Sequence, residues 1–315
     1  MYTVLAGGSG AAKFLRGLVK VVPAEEIHVI VNVGDDLDMW GLHISPDIDT
    51  VMYALAGRLD SSRGWGLKDE TFRCLGAMEG LAQPSWFQLG DADLATHLAR
   101  TEMMRHGASL SAAVAHLATS MGIAARILPA TDNRVRTMVE TPEGLLTFQE
   151  YFVREHFRPD VRSVLYSGAL EAHPTADVLH AIHDAQTIIV APSNPITSIG
   201  PILAIPAIRD ALRCTRAEVV AISPIIGGAP ISGPAGRLME ACGYDVSAEG
   251  VARCYHDFVD LIVVDSKDAC VAAAIRCDDS IGVELTDILI PNVEAAARLA
   301  EFVITKANEN SSVAG

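Results

Sequence analysis

The chain has 315 residues, half of them hydrophobic, with 24 Lys and Arg against 39 Asp and Glu for a formal charge of −15. That length buries roughly 75% of the unfolded surface, enough for one large or two closely joined domains. The acidic balance argues against a nucleic-acid or anionic-membrane surface, which needs clustered Lys and Arg, and means that an anionic substrate must be neutralised locally, by a metal or a few placed cations.

Tyr2–Ala6 reads as a buried strand, Gly7-Gly8-Ser9-Gly10 as a tight loop, and residues 11–22 as a helix with Phe14, Leu15 and Leu18 on one face. Pro23 ends that helix, and residues 27–33 form the second strand. The glycine loop thus sits at the first strand-to-helix turn of a βαβ unit, where backbone N–H groups can hold phosphate oxygens. It is not GxGxxG, because Lys13 stands where the third glycine would fall, and it is not a Walker A sequence. A tight turn without a ligand explains GGSG equally well.

The second strand stops at Gly34, and Asp35, Asp36, Asp38, Asp47 and Asp49 follow within sixteen residues. Five like charges in one loop are either splayed into water or gathered by a cation. A helix is expected over 48–58, with Asp47 or Asp49 near its start. Residues 59–125 then interrupt the strand rhythm with helices at 70–81, 94–106 and 110–121. The turn Leu89-Gly90-Asp91-Ala92-Asp93 starts the middle one, and acids there suit the helix dipole by ~0.3–1 kcal/mol each. Capping accounts for them as well as function does.

Short strands are expected at Arg126–Pro129, 137–140 and 145–148, with a hairpin turn at Pro142-Glu143-Gly144. After a helix over 175–185 come three apolar runs of parallel-sheet type, 187–191, Glu218–Ile222 and 261–264. A last helix over 293–306 leaves 308–315 as a frayed tail. Two uncharged stretches, 185–208 and 219–236, are broken by prolines and polar turns, so neither is expected to span a membrane. The chain enters a strand at Tyr2, so no signal peptide is expected. The six cysteines form no CxxC pair, and reduced thiols in a soluble cytoplasmic protein follow.

The fold class implied is α/β: a Rossmann-like, open, mostly parallel sheet with helices on both faces. Residues 1–58 and 126–307 make the nucleotide- and phosphate-binding core, and 59–125 an inserted helical lobe. The loops after two later strands, Pro192-Ser193-Asn194-Pro195-Ile196-Thr197-Ser198-Ile199-Gly200-Pro201 and the Ser223–Gly236 segment, are rigid, neutral and rich in hydroxyls and amides. Each alone reads as helix-start punctuation. Four such loops on one sheet edge, with GGSG and GDD, favour a shared ligand cleft.

GGSG with Lys13, NVGDD, SPDIDT, GDADLATH, PSNPITSIGPI and SPIIGGAPISGPAG, in that order, resemble the 2-phospho-L-lactate transferase family of the CofD/FbiA type. The resemblance runs from residue 2 to about residue 265. It implies transfer of a phospho-three-carbon-acid group from a guanylyl diphosphate donor to the ribityl hydroxyl of 7,8-didemethyl-8-hydroxy-5-deazariboflavin (Fo), with GMP leaving. It also implies magnesium (Mg2+) and a homodimer.

On that resemblance Asp35 and Asp49 serve metal and catalysis, with Asp36 a second candidate. Gly7, Gly8, Ser9, Gly10 and Lys13 meet the phosphates. Ser193, Asn194, Pro195, Ser198, Gly200 and Gly233 hold the guanosine. Fo lies near Asp36, Asp49, Asp91, Ala92 and His97 and the helical lobe. Either Asp49 or a metal-bound water takes the hydroxyl proton. Family members commonly carry Arg where this chain has Ala92, so the acceptor's cation comes from Arg100 or Lys68, or backbone makes the contact. His97 reads equally as a packed helix histidine, and Trp65 and Trp86 as core residues or as stacking partners for the deazaflavin.

Two other readings compete. A dehydrogenase needs one acid for a ribose and a third glycine, whereas this loop has five carboxylates and lacks that glycine. Non-catalytic CofD-like regulators that bind UDP-sugars carry a glycine/serine-rich segment after strand two, where this chain has SPDIDT.

Overall fold

The computed structural model describes residues 1–231, 233–276 and 281–313. In chain order its strands are β1 (Tyr2–Ala6), β2 (Ile27–Val31), β3 (Leu37–Met39), β4 (Leu42–Ile44), β5 (Arg126–Pro129), β6 (Arg136–Thr141), β7 (Gly144–Thr147), β8 (Ser163–Ser167), β9 (Thr187–Val190), β10 (Glu218–Ile222), β11 (Ile225–Ile226), β12 (Ala229–Pro230), β13 (Leu261–Asp265) and β14 (Gly282–Thr286). The first helices are α1 (Gly8–Val21), α2 (Pro46–Leu55), α3 (Arg73–Gly80), α4 (Asp91–Arg105) and α5 (Leu110–Ser120).

Strands β1, β2, β9 and β13 are buried along their whole length, as unbroken Val/Ile/Leu runs must be when helices cover both faces of a parallel sheet. Seven strands lie in the order β14-β13-β10-β9-β1-β2-β5, every neighbouring pair parallel. The chain begins in the middle, adds β2 and β5 on one side, then returns to add β9, β10, β13 and β14 on the other. This is the Rossmann-like sheet expected, and it reverses direction between β1 and β9. Ligands of such sheets bind outside the carboxyl ends of the strands at that reversal. The fold therefore points at the loops after β1, β2 and β9.

Helix α1 packs between α2 and the helix Val293–Val313. It buries Phe14, Leu15 and Leu18, the face its spacing predicts. That last helix outruns its expected end at 306. Ala307 is buried against the core, and Asn310 Nδ2 donates to Glu218 Oε1 at 2.5 Å. Residues 308–313, expected as a frayed tail, are therefore helical; 314 and 315 lie outside the described residues.

Besides the short antiparallel pair β11–β12, three strand features have no counterpart in the sequence reading. β8 joins β6 and β7 in a small sheet, β14 extends the edge of the main one, and β3 pairs with β4. The β3–β4 turn is Trp40-Gly41, both at positive φ (54° and 73°), the geometry of a two-residue hairpin loop. This hairpin helps build a second small core of Leu37, Met39, Leu42, Ile44, Leu89 and Leu94, against which Trp86 packs. By contrast α5 sinks Leu110, Val114 and Leu117 into the main core. The separate core is thus smaller than the segment 59–125 and borrows residues 37–44. Among the described residues no helix is long and apolar enough to cross a membrane.

Candidate active site

The β3–β4 hairpin settles how the five acids are arranged. Because Leu37 pairs with Ile44, the chain folds back and sets Ser45 beside Asp36. His43 Nε2 and the Ser45 hydroxyl each reach Asp36 Oδ2 at 3.0 Å. Asp35, Asp36, Asp47 and Asp49 are all buried, and Asp38 is turned to solvent. Four of the five carboxylates are gathered, not splayed.

The gathered acids sit against the glycine loop. A Cβ on Gly7 would lie 2.7 Å from both Asp47 Oδ2 and Ser198 Cβ, so only glycine lets the loop, Asp47 and the 193–198 turn close together. Ser193 Oγ donates to the Gly7 carbonyl at 2.7 Å. The fully buried Asn32 ties three loops at once. Its Nδ2 donates to Asp47 Oδ2 (2.9 Å) and to the Thr197 carbonyl (3.1 Å), and its Oδ1 accepts from Gly34 N–H (2.7 Å). At Gly10 an added Cβ would meet the Pro192 carbonyl oxygen at 2.1 Å. Gly10→Ala is therefore expected to cost about 1–3 kcal/mol through overpacking, despite the better helix propensity of Ala. Urea unfolding checks this, and an unchanged or raised midpoint would show that the two loops do not touch.

Burial, and next the charge of Asp47, hold the Asp35 carboxyl well above the usual carboxylate range. Burial pushes Asp47 up to about 6, against hydrogen bonds from Asn32 and the Gly8 N–H. Asp36 is also raised by burial, against His43, Arg100 and Ser45. Among the described residues, the buried Asp35 Oδ1 has no hydrogen-bond partner. Two buried carboxylates, both raised by burial and one of them, with an orphaned oxygen, raised further by the other's charge, beside a phosphate-type loop, fit a hard divalent cation. Magnesium takes one or two carboxylates plus substrate phosphates, and Asp35 and Asp47 are the residues that would hold it.

The sign of the pH dependence follows. Asp47's folded-state value lies above its unfolded value of about 3.9, so its protonated form stabilises the fold below pH ~4. That contribution is lost as pH rises through about 6. A cation held there would replace the proton above that pH, since ligands must be deprotonated to bind it. The gain in Tm from added Mg2+ is accordingly expected to be larger at pH 7.5 than at pH 5. A gain that is equal at both, or larger at pH 5, would contradict the assignment.

Asp49 is placed differently from the expectation that it shares the metal with Asp35. Arg100, fully buried, donates Nη1 to Asp49 Oδ1 (2.6 Å) and Nη2 to Asp49 Oδ2 (2.9 Å), occupying both oxygens. Arg100 Nη2 also reaches His97 Nδ1 at 2.8 Å, so that nitrogen accepts and the ring proton lies on Nε2. His97 Nε2 is 3.2 Å from Asp93 Oδ2, and Tyr53 donates to Asp93 Oδ1 at 2.5 Å. His97 is thus a buried member of a charged network clamping α4 to α2.

The other expected site residues divide between the crevice and the scaffold. Ser198 Oγ lies beside Gly8, and Ser9 is half-buried in the same loop. Lys13 is exposed one turn into α1. Asn194 Oδ1 caps the turn that begins at Pro195, accepting from Ile196 and Thr197 N–H. Gly200 makes room for Tyr166, whose hydroxyl would sit 2.1 Å from an added Cβ and which donates to the Ile196 carbonyl at 2.6 Å. Gly233 is exposed, and a side chain there would meet Phe152, not the glycine loop.

Asp91 accepts from Thr71 Oγ1 and the Arg73 and Cys74 N–H groups at the start of α3, while Glu70 accepts from Ala92 and Asp93 N–H at the start of α4. The capping explanation of that turn accounts for both. Of the two suggested cations, Arg100 is committed to Asp49, and Lys68 donates to the Gly57 carbonyl at 2.9 Å.

The family model "2-phospho-L-lactate transferase CofD" matches residues 2–290. A 2-phospho-L-lactate transferase of Methanosarcina barkeri is 43% identical over 303 residues, covering 96% of each chain. A phosphoenolpyruvate transferase of Kitasatospora aureofaciens is 43% identical over 312 residues, covering 97% of each. The crystal structure of a UPF0052-family protein from Bacillus halodurans superposes with a TM-score of 0.68 at 19% identity, covering 96% of this chain and 98% of that one, which shows the shared fold. The chain belongs to the 2-phospho-L-lactate transferase CofD family, and it is a transferase.

Proposed function

We propose that this protein moves a phospho-three-carbon-acid group from its guanylyl diphosphate donor to the ribityl hydroxyl of Fo, giving coenzyme F-420-0 or its dehydro form and GMP. The observation that carries the reading is the buried Asp35/Asp47 pair set against the glycine loop at the sheet's reversal point. The names of the relatives, 2-phospho-L-lactate transferase and phosphoenolpyruvate transferase, support it. They make lactyl and enolpyruvyl donors the first to test. A cytoplasmic homodimer is part of the same reading.

In the transfer, the ribityl oxygen bonds to the phosphorus bearing the three-carbon acid. The bond from that phosphorus to the bridging oxygen breaks, and GMP leaves with the electron pair. Attack on a diphosphate is limited by charge and position. When bound, magnesium neutralises the diphosphate oxygens. The glycine-loop N–H groups at the start of α1 orient the phosphates, and the 193–198 turn closes the nucleoside side. Asp49, both of whose oxygens are taken by Arg100, is not free to accept the hydroxyl proton.

Incubating purified protein with Mg2+, Fo and each donor, with mass spectrometry of the products, tests the reading. A deazaflavin heavier by the phospho-acid, together with GMP and abolished by EDTA, is expected. No new deazaflavin with any donor, in a protein stabilised by UDP-sugar or NAD but not by GDP, would overturn it.

A further inference from the structure

The small sheet β7-β6-β8 stands apart from the main one, yet the start of β6 is fastened to the acid loop. The Arg136 guanidinium donates to the Asp36 carbonyl and, at 3.1 Å, to Asp38 Oδ2. The Thr137 N–H donates to the Gly34 carbonyl at 2.7 Å. A Cβ on Gly34 would lie 2.7 Å from both Thr137 Oγ1 and Pro201 Cβ, so the glycine before Asp35 is wedged between β6 and the loop after β9.

Thr137 is fully buried, and its hydroxyl faces Asp35. Burial raises the Asp35 carboxyl most, and of the groups opposing that rise the Thr137 hydroxyl is the foremost. The bond between the two is not closed. Among the described residues neither Thr137 Oγ1 nor Asp35 Oδ1 has a partner in hydrogen-bond geometry. A buried hydroxyl with a proton to give thus adjoins a carboxylate with a lone pair to fill. Buried polar groups are ordinarily paired, so two neighbouring orphans call for a reason. Packing does not supply one, since valine would fill the same space on a strand without burying an O–H.

We propose that Thr137 is the positioning residue for Asp35, its hydroxyl donating to one carboxylate oxygen and so orienting the other toward the divalent cation. The proposal rests on the transferase reading above and deepens it. Asp47 has such a partner already in Asn32, at 2.9 Å, and Thr137 gives Asp35 its counterpart. Partners of this kind fix the orientation of a ligating carboxylate, and losing one commonly costs about 10- to 100-fold in metal affinity.

The residue opposite extends the same device. Thr137 pairs with Tyr166 across β6 and β8, so the two side chains leave one face of the small sheet. The Tyr166 hydroxyl donates to the Ile196 carbonyl at 2.6 Å, and Asn32 holds the next carbonyl, that of Thr197, at 3.1 Å. One cross-strand pair therefore braces both the acid assigned to the cation and the turn assigned to the nucleoside.

The test reads metal binding without turnover: Mn2+ is titrated into the protein with GDP, and the free ion is followed by electron spin resonance. Thr137→Val is expected to weaken Mn2+ binding by about 10- to 100-fold, and Thr137→Ser, which keeps the hydroxyl, to retain it. The metal-free Tm of Thr137→Val should equal or exceed that of wild type, because the change removes an unpaired buried hydroxyl. Its affinity for GDP without metal should be that of wild type. Unchanged Mn2+ affinity in a folded Thr137→Val protein overturns the assignment, and so does a Thr137→Ser protein that binds the ion as weakly as Thr137→Val. Loss of Mn2+ binding together with a fallen Tm also overturns it, since a failing scaffold does that. In each of these cases Mn2+ binding and Fo turnover by wild type would leave the transferase reading standing, whereas a wild type that binds no Mn2+ with GDP removes both.

Discussion

Asp35→Asn is expected to lower turnover by at least ~10²-fold at saturating Mg2+, as loss of a group that stabilises developing charge commonly does. The variant should fold. Asp35 and Asp47 are buried neighbours whose charges oppose each other, so removing one relieves the metal-free protein of repulsion. Its Tm without metal is expected to equal or exceed that of wild type, and the rise in Tm on adding Mg2+ to shrink. This pairing of lost activity with retained stability separates a ligand from a scaffold residue. Wild-type turnover in the variant would remove Asp35 from the mechanism, and a collapsed Tm would make it structural.

Arg100→Met is expected to do the reverse and cost stability first. Its guanidinium is fully buried and holds both Asp49 oxygens, with His97, Asp93 and Tyr53 arrayed beyond. Removing one partner of a buried pair leaves an uncompensated charge, at about 3–5 kcal/mol. Replacing both, as Arg100→Met with Asp49→Leu, should recover much of that loss, since buried pairs often exchange for apolar residues with little penalty. Urea unfolding of the two single variants and the double gives the coupling directly. Additive losses would mean that Asp49 and Arg100 do not depend on each other. In Asp49→Asn, lost activity would then come mainly through a displaced α4, not a missing metal ligand.

Much of the fold was legible because it is written in local pattern. The unbroken apolar strands, the glycine loop after β1 and the amphipathic α1 each announce themselves within a dozen residues. The acids after β2 could be found but not sorted. Whether they gather depends on β3 and β4, strands of three residues whose Trp40-Gly41 turn lacks the Asn-Gly or Asp-Gly signal of a tight hairpin. Once that hairpin forms, Asp47 and not Asp49 faces the glycine loop and Asp35. On a helix starting at Pro46 the two acids, two positions apart, point to different sides.

Arg100 was equally hard to place. A charged residue in a helix is ordinarily solvent-exposed, and only α4 packing onto α2 explains its burial. Asn32 stands in the NVGDD run, but two of its three hydrogen bonds reach loops 15 and 165 residues away. Such long-range ties leave no periodic trace. β14 escaped for a different reason: as an edge strand with only Val283 fully buried, it lacks the apolar run that marks its neighbours.

The most direct test is a crystal of the protein grown with GDP and Mn2+ in place of Mg2+, with the metal located by its anomalous signal. The account predicts one peak bound by carboxylate oxygens of Asp35 and Asp47 and by a diphosphate oxygen, with the diphosphate against Gly7–Gly10 N–H groups. A metal bound instead by Asp49, Asp93 and His97, with Arg100 displaced, or a diphosphate away from the glycine loop, would contradict it.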